Sequence, residues 1–201
     1  MKLPHPSPNP RYGELRAVLV AHPEWLVPWS GHFFRVQTLL FPTANDILSG
    51  AGAKQRGGRW NSPGLAALYG CTTDTAALEE AKANDRYYGI ETKTPRLLVA
   101  INAKVGHLLD LTSPAIRRKL GINLPELAGE DWRKLLQSGQ ESLSQTLGRA
   151  AASTGASGLL VRSASVRNAH NVVIFPPLGT SGRLSIIESE ALARLTQPEK
   201  A

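Results

Sequence analysis

The sequence predicts an α+β fold, a central mixed or antiparallel β-core flanked by helices. Three observations carry this expectation. Apolar runs enriched in Val, Ile and Phe stand far apart in the chain, so the strands they form must be gathered from distant segments. Helical patterns collect in one block after the middle of the chain and do not alternate with strands, which argues against a regular βαβ sheet. A chain of 201 residues, 42% hydrophobic and 19% charged, is long enough for one well-formed core and short for two.

The elements follow in order. The leader has prolines at 4, 6, 8 and 10 and reads as extended. Leu15, Val18, Leu19 and Leu26 then show a loose helical spacing, broken by Pro23 and Pro28. His32 to Val36 reads as a short strand with aromatic enrichment. Residues 42 to 63, rich in Gly, Asn and Ser, read as a long loop, and loops of that length inside a domain are often functional. Leu65 to Tyr69 reads as a buried strand. Thr73 or Asp74 caps a helix over 75 to 88. Arg96 to Ile101 is a strong strand, with a second stretch from Gly106 to Leu111. Ser113-Pro114 opens a helix, and further helices are expected over 126 to 138 and 142 to 153. Strand patterns return at 158 to 161, 171 to 175 and 183 to 187.

Composition excludes several classes. No apolar stretch approaches the ~18 residues a membrane helix needs. The leader has no apolar core, so it does not read as a secretory signal. One cysteine, Cys71, excludes an internal disulfide and a multi-cysteine zinc site, and a reducing cytoplasm fits best. The five histidines include no i, i+4 pair, so no helical metal motif is expected. Gly50 to Gln55 lacks the third glycine of a dinucleotide fingerprint, and no Gly-Lys-Ser/Thr ending marks a P-loop. The net charge of +7 favours an anionic partner without choosing among nucleic acid, a phosphorylated small molecule and an acidic protein.

The candidate functional residues are few. Gly57-Gly58-Arg59-Trp60-Asn61-Ser62-Pro63-Gly64 combines glycines that permit close backbone approach, a guanidinium fork for phosphate in Arg59 and a stacking face in Trp60. The same residues also make a tight turn anchored by a tryptophan. Arg35 follows two phenylalanines on a strand, and Tyr69 ends an apolar one. Glu79 and Glu80 lie about 100° apart on a helix, so they face different ways. Glu79 is placed to pair with Lys82, whereas Glu80 shares a face with Ala76 and Ala77 that can pack close to the sheet. Glu80 is therefore the better functional candidate. Ser163 and Ser165 follow an apolar strand.

Taken together, these segments resemble the RES domain family, named for an Arg, a Glu and a Ser. The matching blocks, in order, are Phe34-Arg35-Val36, the Gly57 to Gly64 stretch, Leu68-Tyr69, Ala77-Leu78-Glu79-Glu80, Leu160 to Ala164 and Asn171 to Pro176. The resemblance implies a domain over 31 to 195, an N-terminal extension over 1 to 30 and a polar tail over 196 to 201. It also implies a fold like that of ADP-ribosyltransferase toxins. The implied activity is that of the toxin of a bacterial toxin–antitoxin pair, cleaving NAD+ by phosphorolysis or hydrolysis or transferring ADP-ribose to a protein.

Carried over position by position, the family Arg is Arg35, the Glu is Glu80 and the Ser is Ser163, with Ser165 as an alternative. Arg162 stands where the family often has proline, and the 112 to 150 stretch is longer than in compact members. The implied NAD+ contacts are Arg35, Arg59, Trp60, Tyr69 and Asn171, with NAD+ as substrate, inorganic phosphate as one acceptor and neither cofactor nor metal. The implied partner is an Xre-like antitoxin plugging a groove near Gly57 to Gly64. Nucleic acid would be contacted only through that partner, and a homo-oligomer within the complex is one arrangement. A basic nucleic-acid-binding module is the alternative of another class.

Overall fold

In the computed structural model, residues 5–89, 95–190 and 192 are described. The chain opens with α1 (Tyr12–Ala21) and a 3-10 turn at Pro23–Trp25, then enters β1 (Leu26–Thr38). Next come α2 (Ala44–Leu48), α3 (Ala51–Arg56), β2 (Leu68–Cys71), α4 (Asp74–Tyr88) and β3 (Arg96–Asp110). Four helices follow: α5 (Pro114–Lys119), α6 (Leu124–Gly129), α7 (Trp132–Gln137) and α8 (Leu143–Ser153). The chain then forms β4 (Gly158–Arg162), β5 (His170–Ile174) and β6 (Gly182–Ile186).

The strands close on themselves. β1 pairs antiparallel with both β2 and β3, β2 with β5, and β5 with β4, while β4 returns parallel to β3. This makes a five-stranded closed ring, with β6 added antiparallel to the outer side of β3. The α+β expectation with a mixed core is what the chain adopts. The single parallel pair is the one joined by a long crossover, α5 to α8, as parallel pairing requires.

Alternation along the strands divides the core. Val172 and Ile174 point into a cluster with Phe33, Leu68 and Ile101, whereas Val173, Leu159 and Val161 point into a second cluster with Leu147, Leu120 and Trp60. The second cluster also takes Leu15 and Leu19 from α1, exposed by 0% and 3%.

Several boundaries differ from the sequence reading. β1 begins at Leu26, so part of the segment read as an N-terminal extension is strand, and α1 before it is core helix. The long loop contains α2 and α3; a reciprocal cap between Thr43 and Asp46 starts α2. β2 sits three residues later than expected, and β3 runs unbroken because β1 pairs with it almost end to end. The helix expected over 126 to 138 is divided at Glu130. That carboxylate accepts from the Leu143 and Ser144 N–H groups and satisfies the start of α8. Thr73 is the cap of α4. The tail at 196 to 201 lies outside the described residues. Among the described residues no helix is long and apolar enough to cross a membrane.

Candidate active site

Helix α4 carries the first half of the site. Thr73 accepts the Ala76 N–H at its start, and Gly89 closes its end in the left-handed conformation. Ala76 and Ala77 are buried, and such small side chains let the helix lie close to β1 and β2. The face at Ala77, Glu80, Ala81 and Asn84, spaced three and four apart, then lines a cavity of about 750 Å³. Glu79 points elsewhere and pairs with Lys82 at 2.7 Å.

Glu80 is held by neutral donors. Its Oε1 accepts from Ser163 Oγ at 2.7 Å and from Asn171 Nδ2 at 2.9 Å. Ser163 is itself fixed, because its oxygen accepts the N–H groups of Ser165 and Val166 at the end of β4. Burial pushes the Glu80 pKa up, but hydrogen bonds from Asn171, Ser163 and Ser165 outweigh burial and hold it below the usual carboxylate range. The carboxylate is therefore ionised at neutral pH, and among the described residues no cation is bonded to it. Ser163 bonds Glu80 through its side chain and anchors the turn, and Ser165 adds side-chain and backbone donors to the same carboxylate besides its N–H to Ser163.

The linkage sign follows. A depressed carboxylate pKa stabilises the fold above the unfolded-state pKa, and that stability is lost as pH falls through the folded-state pKa. Ser163→Ala removes one of the bonds that depress it. We expect Ser163→Ala to move the acid limb of the pH–rate profile to higher pH. It should also lose more stability at pH 7 than near pH 3, as read by denaturant melts at the two pH values.

β1 supplies the opposite charge. Arg35 projects into the cavity, with Nε donating to Gln37 Oε1 at 3.1 Å and Nη1 donating to the Tyr69 carbonyl at 3.0 Å. Burial lowers its pKa, but a guanidinium remains charged at neutral pH. Among the described residues no carboxylate pairs with it. Tyr69 also lines the cavity, and its hydroxyl accepts the Trp60 N–H at 2.9 Å and donates to Asn61 Oδ1 at 2.6 Å. Burial drives that hydroxyl far above the usual phenol range, so it stays protonated. Cys71 lines the same cavity; burial and then the Glu80 charge push its thiol up to about 12, which leaves it unreactive.

Of the sequence candidates, Arg35, Tyr69, Glu80 and Asn171 thus meet in one cavity, with Ser163 bonded directly to Glu80. The Gly57 to Gly64 stretch behaves otherwise: none of its residues lines the cavity. Trp60 is only 6% exposed and belongs to the core, so the structure does not bring it to the cavity as a stacking wall. Arg59 donates to the Leu127 carbonyl at 2.8 Å and reaches Glu80 only through its electric field.

The stretch is a buried turn. Asn61, fully buried, bonds the Ala53 and Leu65 carbonyls, and Gln145 on α8 donates to the Gly58 carbonyl. Ser62 donates to Glu141, which also holds a two-pronged ion pair with Arg149. The turn serves the site indirectly, by clamping Tyr69 from behind.

Gln37 and Arg56 are among the cavity residues that went unread in the sequence. Gln37, two positions beyond Arg35 and therefore on the same side of β1, bonds it directly. Arg56, at the end of α3, lines the cavity from the segment that read as loop. The strand period was the available signal for Gln37; nothing in the sequence marked Arg56.

With this geometry in place, the comparisons with known proteins become specific. The RES domain model matches residues 32–193, and the chain belongs to the RES domain family. Relatives include the NAD(+) phosphorylase MbcT of Mycobacterium bovis (strain ATCC BAA-935 / AF2122/97) and that of Mycobacterium tuberculosis (strain ATCC 25618 / H37Rv). Each is 33% identical over 94 residues, covering 43% of this chain and 50% of the relative. The match thus spans about half the length of those curated relatives. A solved structure of the M. tuberculosis MbcT–MbcA toxin–antitoxin complex shares the fold, with a TM-score of 0.60. That match has 24% sequence identity and covers 90% of this chain and 98% of that one.

Proposed function

We propose that this protein is the toxin of a toxin–antitoxin pair and cleaves the nicotinamide–ribose bond of NAD+ by phosphorolysis. The observation that carries the reading is one cavity holding two uncancelled charges of opposite sign, Arg35 and Glu80, each fixed by neutral hydrogen-bond partners. NAD+ presents the complementary pattern: an anionic pyrophosphate, and a ribose that becomes cationic as the bond breaks. The cavity volume of about 750 Å³ suits a ligand of this size. The relatives' activity points the same way.

The chemistry fits the residues. When the C1′–N1 bond breaks, its electron pair passes to the pyridinium nitrogen and nicotinamide leaves neutral. No general acid is needed, unlike the two carboxyls of ordinary glycoside hydrolysis. Glu80 holds the ribose hydroxyls and offsets the charge on the ring, and a phosphate oxygen then bonds to C1′. Asn171 Oδ1 is buried beside the carboxylate without a hydrogen bond, and it supplies an acceptor for a sugar hydroxyl. Arg35 binds the pyrophosphate.

The neutralising partner in this reading is an Xre-like antitoxin, and the pair acts in the cytoplasm, where the single-cysteine composition also fits. Phe41, which lines the cavity, and neighbouring Leu40 are 52% and 69% exposed and offer that partner an apolar foothold at the rim.

Incubation of the purified chain with NAD+, with and without inorganic phosphate, tests the proposal by its products. ADP-ribose 1-phosphate formed only with phosphate is the expected result. Free ADP-ribose would redirect the reading to hydrolysis, and a labelled protein to ADP-ribosyl transfer. Intact NAD+ in all arms would refute it.

A further inference from the structure

We infer that Gln37 is a positioning residue of the site: it orients the Arg35 guanidinium for an anion while leaving its charge uncancelled. The inference rests on the reading of the cavity as a dinucleotide site and adds a residue to it.

Gln37 is 6% exposed, on β1, two residues from Arg35. Its amide works at both ends. Oε1 accepts from Arg35 Nε at 3.1 Å, and Nε2 donates to the Phe41 carbonyl at 2.9 Å. These partners fix which end is oxygen, because the opposite orientation would set N–H against N–H and oxygen against oxygen. A buried amide with both ends bonded has one orientation, so it is a rigid support.

The choice of acceptor matters more than its presence. A carboxylate here would also bond Nε, more strongly, but it would cancel the guanidinium charge before any ligand arrived. Tyr69 supports Nη1 in the same neutral way, through its carbonyl. Arg35 is thus held by two neutral oxygens, as Glu80 is held by two neutral donors. Through Phe41, Gln37 also ties the arginine to the rim of the cavity, where Phe41 is half exposed.

The test is steady-state NAD+ consumption by the full chain as wild type, Gln37→Glu and Gln37→Met, with a thermal melt of each. Both variants should raise KM for NAD+ by about tenfold or more while kcat stays within about threefold, the split expected when uniform substrate binding is lost. Gln37→Glu exchanges the neutral bond to Arg35 for an ion pair but sets its second oxygen against the Phe41 carbonyl, so its melting temperature should fall by a few degrees while KM rises. A purely structural role would instead lower the melting temperature with KM unmoved.

Wild-type KM in folded Gln37→Glu, or a loss confined to kcat, overturns the inference. If Gln37→Glu does not fold, Gln37→Met decides it by the same KM criterion. A wild type that leaves NAD+ intact overturns the cavity reading and this inference with it. A wild type that consumes NAD+ beside variants of unchanged KM overturns only the role of Gln37.

Discussion

Glu80→Gln is expected to abolish the proposed NAD+ cleavage and to leave the protein folded. The substitution keeps the shape of the side chain and removes its charge. Ser163 Oγ and Asn171 Nδ2 still find an oxygen at residue 80, so the local hydrogen bonds at 2.7 and 2.9 Å survive. What disappears is the negative charge that, in the proposed reaction, faces the ribose as it becomes cationic. Losing one preorganised electrostatic partner in a partly desolvated site costs on the order of 10²–10³ in kcat, and Glu80 is the acid that Ser163 and Asn171 hold. The melting temperature at pH 7 should fall only slightly: the amide loses the charge-assisted bonds that hold the carboxylate pKa down but keeps an oxygen for Ser163 and Asn171. Glu79→Gln, one residue away, breaks only an exposed pair with Lys82 and should retain near wild-type turnover. Equal losses in the two variants would show that the helix face has been misassigned.

Gly148→Ala is expected to produce the largest loss of stability among single-methyl additions near the site. Gly148 lies on α8 against the Trp60 carbonyl, and a Cβ there would collide with that backbone oxygen. Backbone is the obstacle, so no rotamer change relieves it. Either α8 or the Gly57 to Gly64 turn must move. Overpacking of this kind costs about 1–3 kcal/mol or more, a fall in Tm on the order of 5 °C for a chain of this size. The turn that moves is the one whose Trp60 N–H and Asn61 side chain bind the Tyr69 hydroxyl. Activity per folded molecule should therefore drop as well, which ties packing behind the site to function within it. Urea melts together with turnover measure both; an unchanged midpoint would contradict the packing account.

The two substitutions also show what the sequence carried. Glu80 was readable because helical periodicity separates it from Glu79 and sets it on the alanine face that must meet the sheet. Ser163, 83 residues away, was named by family resemblance and not by spacing, and only the fold shows that it bonds Glu80. The Gly57 to Gly64 stretch could be read two ways, because glycine, arginine and tryptophan are the residue types of both a phosphate loop and a buried turn. Gln145 and Gly148 decide between the two, and they come from a helix far along the chain. The extent of β1 was underread because Gly31 and Pro28 interrupt its pattern, while pairing with β3 overrides local preference. Gln37 carries no motif at all; only its bonds to Arg35 and Phe41 give it a role.

The central claim is that a carboxylate and a guanidinium, each oriented by neutral groups, bracket NAD+ across one cavity. A crystal structure of the Glu80→Gln protein soaked with NAD+ tests it most directly. The account predicts the nicotinamide ribose against residue 80 and Asn171, with the pyrophosphate on Arg35. A dinucleotide bound elsewhere, or bound here with its phosphates remote from Arg35, would contradict it.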